Sequence, residues 1–159
     1  MHMPEAPEKK SPQNVLSEMI LRGILFDRPA VVADVQGTLA AEQAGERCKV
    51  VGGDFFEGLP AGGDAYILKW VLSEWSDEQA TAILRNCRQA MSSRGRVLVI
   101  DPLDLRSNEL FNLQMPVVWN GGRVRSRSEL ANLFAAAGLD APRIVPTQAQ
   151  FAIVEGRAT

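Results

Sequence analysis

Three aspartates stand at the ends of short apolar runs: Asp27 after GILF, Asp54 after VVGG and Asp101 after RVLVI. In open parallel sheets, ligands bind outside the carboxyl ends of the strands, and an acid there can accept both hydroxyls of a ribose. The plainer alternative for each acid alone is a loop carboxylate that caps a helix or faces water. General-base chemistry has few candidates. The single histidine, His2, lies in a polar, Pro-rich leader, so the body of the chain offers no imidazole to take a proton. Cys48 and Cys87 form no CxxC pair and read as small buried hydrophobes in a strand and a helix. Arg123, Arg125 and Arg127 read as a solvated loop and helix start, with phosphate binding as the alternative. No GxGxxG, P-loop or HExxH motif occurs, and Ser11, Ser73 and Ser92 lack a GxSxG context.

The elements that must position these residues follow from periodicity and punctuation. Residues 1–13 read as a disordered leader, and 14–22 carry a short helical face. GILFD (23–27) reads as a buried strand, 31–45 as a helix closed near Gly45, and RCKVVGGD (47–54) as a second short strand. Residues 55–63 are loop by their Gly and Pro content, and DAYILKWVL (64–72) is a third buried strand. A helix over 76–91 has Ser76 as N-cap, Asp77 and Glu78 in its first turn, and Ala80, Ile83, Leu84, Cys87 and Met91 on its apolar face. SSRG turns the chain into a fourth strand, 96–101. Residues 108–119 read as helical and 126–139 as a helix with a Ser126–Glu129 capping box, ended by Gly138. Residues 143–147 and 151–156 form a closing hairpin, and the order of elements is α/β, parallel first.

Composition bounds the rest. The chain has 159 residues, 46% of them hydrophobic, which suits one ordinary domain with a real core. Seventeen Lys and Arg against 19 Asp and Glu give net charge −2, which argues against a nucleic-acid module. No apolar run approaches the roughly 20 residues needed to cross a bilayer, and the start has no apolar signal region. A cytoplasmic protein is the expectation.

The combination is more specific than its parts. FDRP, then VVGGDFFEGLPAGGDAYILKWVLSEWSDEQATAILRNCRQAM, then GRVLVID, then GGRVRSRSEL and LFAAAGL, resembles the S-adenosylmethionine-dependent O-methyltransferases that act on small phenolic and polyketide-type hydroxyls in plants and bacteria. The resemblance spans about residues 22–156 and is densest from Val50 to Met91. It implies a Rossmann-like methyltransferase sheet, mostly parallel with a C-terminal antiparallel hairpin, and makes 14–159 a partial catalytic domain. It implies S-adenosylmethionine as cofactor. Asp27 would bind the cofactor's ribose hydroxyls, and Asp54 the adenine amino group, with Phe55 on the adenine ring. Lys69 would lie beside the cofactor, and Trp75 near the adenine side. For Phe55 and Trp75 the alternative is plain core packing.

Departures from the family pattern shape the functional expectation. Where the family has His-Asp-Trp, this chain has Ser73, Glu74 and Trp75. A general base contributes roughly 100- to 10,000-fold, and a Ser hydroxyl cannot act as one near neutral pH. Glu74 is the remaining candidate there, and Asp101 matches the acid ending the family's fourth strand. After Gly121 and Gly122, Val124 stands where the family carries a glutamate beside its histidine. No glycine precedes Gly23, so the family's first strand and Gly-rich cofactor loop are missing from this sequence. That strand is central in the family's sheet, so its loss predicts either unpaired strand edges or direct pairing of its neighbours, and with it self-association into a homo-oligomer or reduced stability. The resulting expectation is a methyltransferase of small-molecule hydroxyls by lineage, impaired or inactive as this chain. The alternatives are a non-catalytic α/β module that binds a nucleoside-like ligand or acts by association, and a degenerate product without activity. No metal and no nucleic-acid or membrane partner is expected.

Overall fold

The computed structural model describes residues 21–35, 37, 39, 46–103, 122–145, 147 and 151–159. The expected leader, most of the 14–22 helix and the whole 108–119 helix lie outside them. Leu21 and Arg22 are described and are not helical.

Strand β1 is Gly23–Asp27, and Pro29 opens the short helix α1, Pro29–Val32. Proline suits that first position because its missing N–H would have no intrahelical partner. A turn follows, with helical residues again at 35, 37 and 39, so the helix begins two residues earlier than expected and is interrupted early. Its expected close near Gly45 lies outside the described residues. Strand β2 is Cys48–Gly52, parallel to β1 and in register with Asp27 opposite Gly52. Gly53 is required by closeness: a Cβ there would sit 2.6 Å from the Phe26 ring.

Strand β3, Gly63–Lys69, runs parallel to β4, Met91–Pro102. The third strand was expected to continue to residue 72. It stops at Lys69 because Trp70 takes a left-handed conformation, φ 57°, and a 3-10 turn over Leu72–Glu74 follows. Such backbone is costly for a bulky residue. Here the Trp70 ring packs edge-on to Phe151 at 5.5 Å. The expected SSRG turn is absorbed into β4: the register jumps from Gly63–Met91 to Ala65–Arg96.

Helix α2, Asp77–Ala90, carries a full capping box in which Ser76 accepts from the Gln79 N–H and the Gln79 side chain accepts from the Ser76 N–H. Its buried stripe includes Ala80, Ile83, Leu84 and Cys87, while Met91 is only half-buried and already begins β4. Helix α3, Arg127–Ala136, has the Ser126–Glu129 box and is followed by Gly138 at φ 75°. Strands β5, Arg143–Val145, and β6, Phe151–Arg157, make the expected antiparallel hairpin, and β6 also pairs antiparallel to β4.

The strands take up the first of the two arrangements expected for the sheet, a division between β1-β2 and the rest. The strands form two sheets: β1-β2, and β3-β4-β6-β5. Among the described residues, β1 and β3 do not pair with each other. The core belongs to the larger sheet and its two helices: Leu72, Ile83, Leu84, Val97, Val99, Phe134 and Val154 are fully buried. Strands β1 and β3 were expected to be buried; β1 has no buried residue, and β3 buries only Leu68. Ile24 is 52% exposed and Ile67 63% exposed. A parallel strand is buried when elements cover both its faces, and that cover is incomplete here.

Candidate functional site

Each sequence-predicted site residue sits at or just beyond the carboxyl end of a parallel strand. Asp27 ends β1, Asp54 and Phe55 follow β2, Lys69 ends β3, Ser73, Glu74 and Trp75 follow it, and Asp101 lies near the end of β4.

On the β1-β2 side, two carboxylates are held by local backbone. Asp27 Oδ1 accepts from the Arg28 N–H at 2.7 Å, and the Asp27 carbonyl accepts from the Gly53 N–H at 2.9 Å. Asp54 Oδ1 accepts from the Phe56 N–H at 2.8 Å, an Asx-type turn. Both acids therefore combine the cap expected of a loop acid with a second oxygen that takes no hydrogen bond among the described residues.

Phe55 and Phe56 pack edge-on to Trp75, with ring centroids 5.8 and 4.9 Å away. Asn86 on α2 fixes this turn by donating to the Phe55 and Phe56 carbonyls at 2.7 and 3.0 Å. Phe55 and Trp75 are partly buried and pack edge-on at the border of the core. The contact also brings the loop after β2 against the turn after β3.

The β3-β4 side holds a buried polar cluster. Ser73 Oγ donates to Asp101 Oδ1 at 3.4 Å, and both residues are buried, Asp101 to 4% exposure. Burial pushes the Asp101 carboxyl up to about 7, against the opposing pull of the Ser73 and Trp70 backbone N–H groups, of the Arg125 charge and of the Ser73 hydroxyl. Glu74, half-buried, is raised by desolvation.

The residue that sequence reasoning missed is Arg125. Expected to be solvated, it is 3% exposed and acts as a clamp. Its guanidinium donates to the Leu72 carbonyl at 2.5 Å, the Trp75 carbonyl at 2.6 Å and Asp77 Oδ1 at 2.8 Å. The turn carrying Ser73 and Glu74 is therefore pinned at both ends by one side chain. Burial works to raise the Asp77 carboxyl, but hydrogen bonds from Arg125 and Arg123 outweigh it and hold it below the usual range. Arg123 also pairs with Glu129. Gly122 explains why a Gly-Gly precedes this cluster: a Cβ there would lie 2.5 Å from the Ser73 carbonyl oxygen. The available signal was that glycine pair, which marks a close backbone approach. Cys87 is buried, its thiol pushed up to about 12 by desolvation, whereas Cys48 is only half-buried.

Parallel strands whose carboxyl ends gather acids and aromatic rings define an α/β protein of the class that binds ligands at strand ends. The chain belongs to the O-methyltransferase domain family, whose profile matches residues 19–140. It is 42% identical over 141 residues to a phenazine O-methyltransferase, PhzM, of Lysobacter antibioticus, covering 86% of this chain and 41% of that protein. It is 37% identical over 126 residues to the aclacinomycin 10-hydroxylase RdmB of Streptomyces purpurascens, covering 75% of this chain and 33% of that one. The fold is similar to that of NcsB1, an O-methyltransferase from neocarzinostatin biosynthesis solved with S-adenosylmethionine and 2-hydroxy-5-methyl naphthoic acid. The TM-score is 0.80 at 35% identity, over 92% of this chain and 46% of that one. The chain spans less than half the length of the relatives it matches.

Proposed function

We propose that this chain carries the cofactor-facing part of an S-adenosylmethionine-dependent O-methyltransferase for small-molecule hydroxyls, and that methyl transfer by this chain is impaired. The observation that carries the reading is the parallel register of β1 and β2, which sets Asp27 opposite Gly52 and so brings two acids, Asp27 and Asp54, to one sheet end. Family membership supports it, and residues 14–159 are on this reading part of a catalytic domain with a Rossmann-like sheet.

The residues fit the adenosyl half of the cofactor by donor chemistry. Asp27 and Asp54 each keep a carboxylate oxygen for a ribose hydroxyl or an adenine amine, while the backbone fixes the other oxygen. Phe55 and Trp75 supply an apolar rim, and Lys69 lies at the neighbouring strand end. When bound, the cofactor supplies an electrophilic sulfonium methyl for in-line displacement by an acceptor atom. This chain's own contribution to the step is binding and orientation.

Proton removal is where it falls short. Ser73 donates its proton to Asp101, so the hydroxyl is occupied as a donor. Asp101 is buried and, with its carboxyl near 7, only partly ionised at neutral pH. Glu74, on the half-buried side of the turn, is the remaining acceptor of a proton. A second reading, a non-catalytic module that binds a nucleoside-like ligand or acts through self-association, is favoured by that same Ser73–Asp101 bond. A homo-oligomer in a cytoplasmic setting belongs to either reading, and light scattering of the purified chain decides the oligomer. None of the described helices is long and apolar enough to cross a membrane.

Calorimetric titration with S-adenosylhomocysteine tests the main reading. Binding that Asp27→Ala and Asp54→Ala each weaken about tenfold supports it. No heat at millimolar ligand overturns it. Label transfer to a phenolic acceptor then separates the impaired enzyme from the binding module.

A further inference from the structure

Asn86 sits inside helix α2, at the border of its buried stripe, where asparagine is a weak helix former. Its amide nitrogen donates to two successive carbonyls of the turn after β2, Phe55 at 2.7 Å and Phe56 at 3.0 Å. Both partners only accept, so the donor end of the amide must face them. The N–H groups of the same turn are taken by Asp54. Its carboxylate accepts from the Phe56 N–H at 2.8 Å, and its carbonyl from the Glu57 and Gly58 N–H groups at 3.0 and 3.1 Å. Among the described residues, no other side chain from outside the turn hydrogen-bonds to residues 54–58.

We propose that Asn86 is a positioning residue for the adenosyl end of the cofactor. By holding the Phe55 and Phe56 carbonyls it sets the direction of the second Asp54 oxygen, and with it the choice of a purine that carries an exocyclic amine. The role holds only if Asp54 faces the adenine amine, as proposed above.

A carboxylate oxygen only accepts, and the adenine amine can donate to it. Hypoxanthine carries a carbonyl oxygen at that position, which offers no proton. The discrimination depends on direction, because hydrogen bonds weaken steeply as they bend. Asp54 is exposed and one of its oxygens is fixed by the turn, so the turn's orientation decides where the other points. Ring contacts to Trp75 at 5.8 and 4.9 Å hold the turn against the larger sheet. Apolar contact is non-directional, whereas the two bonds from Asn86 are directional.

The test titrates the full chain with S-adenosylhomocysteine and S-inosylhomocysteine by calorimetry, and reads amide exchange alongside. The parent should favour the adenosine compound about tenfold. Asn86→Ala, which suits a helix, should fold by circular dichroism. It should lose most of that preference by weakening the adenosine compound alone. The Glu57 and Gly58 amides should exchange faster, while those of β4 keep the parent's rates. Asn86→Asp, which keeps the shape and removes the donor, should do the same. With Asp54→Ala already in place, adding Asn86→Ala should change the preference no further. Either variant folded with the full preference overturns the proposal. So does equal weakening of both compounds, the mark of a merely structural role, and so does a further loss in the Asp54→Ala chain. A parent that binds both compounds equally removes the Asp54 assignment, and this role with it, but leaves cofactor binding standing. A parent that binds neither overturns the cofactor reading together with the role of Asn86.

Discussion

Strands β1 and β2 and strand β4 of the larger sheet are built from the same kind of segment, a short apolar run ending at or near an acid, yet β4 buries alternate residues while β1 and β2 bury none. The larger sheet lies under α2 and α3 and seals Val97, Val99 and Val154 completely, while β1 leaves Ile24 half in solvent. The lesson is that apolar sequence confers the capacity to be buried. Burial itself depends on a covering neighbour. Stability should therefore be unevenly shared, high in the larger sheet and low in the pair.

The largest test of that asymmetry truncates one large apolar side chain on each side. Phe134 on α3 is fully buried, so Phe134→Ala should cost about 3–5 kcal/mol by urea unfolding. Leu25→Ala, on the exposed strand, should cost less than about 1 kcal/mol. Equal costs would break the comparison.

Next in size is the clamp. Arg125→Ala takes away the guanidinium donor of the Trp75 carbonyl and one of the two donors to each of the Leu72 carbonyl and the Asp77 carboxylate, and should cost about 3 kcal/mol. Because the clamp holds Trp75, its fluorescence should shift toward the exposed value before global unfolding. A purely global loss would mean that the turn is held by packing alone.

A glycine under a ring occurs in both regions and sharpens the contrast. A Cβ on Gly156 would lie 2.5 Å from the Phe134 ring, and one on Gly53 would lie 2.6 Å from the Phe26 ring. The clashes are alike, but Phe134 is locked in the core and Phe26 is only half-buried. Gly156→Ala should cost about 2 kcal/mol and Gly53→Ala less than about 1, by thermal unfolding.

Legibility in sequence follows the same divide. Strand β1 was readable to the residue, because Gly23 and the Asp-Arg-Pro run punctuate it. Helices α2 and α3 were readable from Ser caps and apolar spacing, signals local to a few turns. The acids at strand ends were readable for the same reason. What was not readable depends on distant parts of the chain: the exposure of Ile67, the left-handed Trp70 that ends β3 early, and the burial of Arg125. An arginine between two others reads as solvated until the three acceptors it meets, Leu72, Trp75 and Asp77, are brought to it by folding.

The smallest expected effect is a pH slope rooted in the larger sheet. Asp101 has its carboxyl raised to about 7 by burial, whereas in the unfolded chain it titrates near its ordinary value of 3.8. Between those two values the native state holds the proton and the unfolded state does not. Stability must then fall as pH rises through that window, by at most about 1.4 kcal/mol per pH unit, and level off above it. Opposing groups titrate nearby, so the comparison that isolates Asp101 is with Asp101→Asn, which keeps the shape and removes the charge. From pH 5 to pH 6 the parent chain should lose about 1 kcal/mol more than the variant. If both lose the same amount, Asp101 is ionised in the fold, and the Ser73–Asp101 pair regains the capacity to accept a proton that the buried, protonated acid lacks.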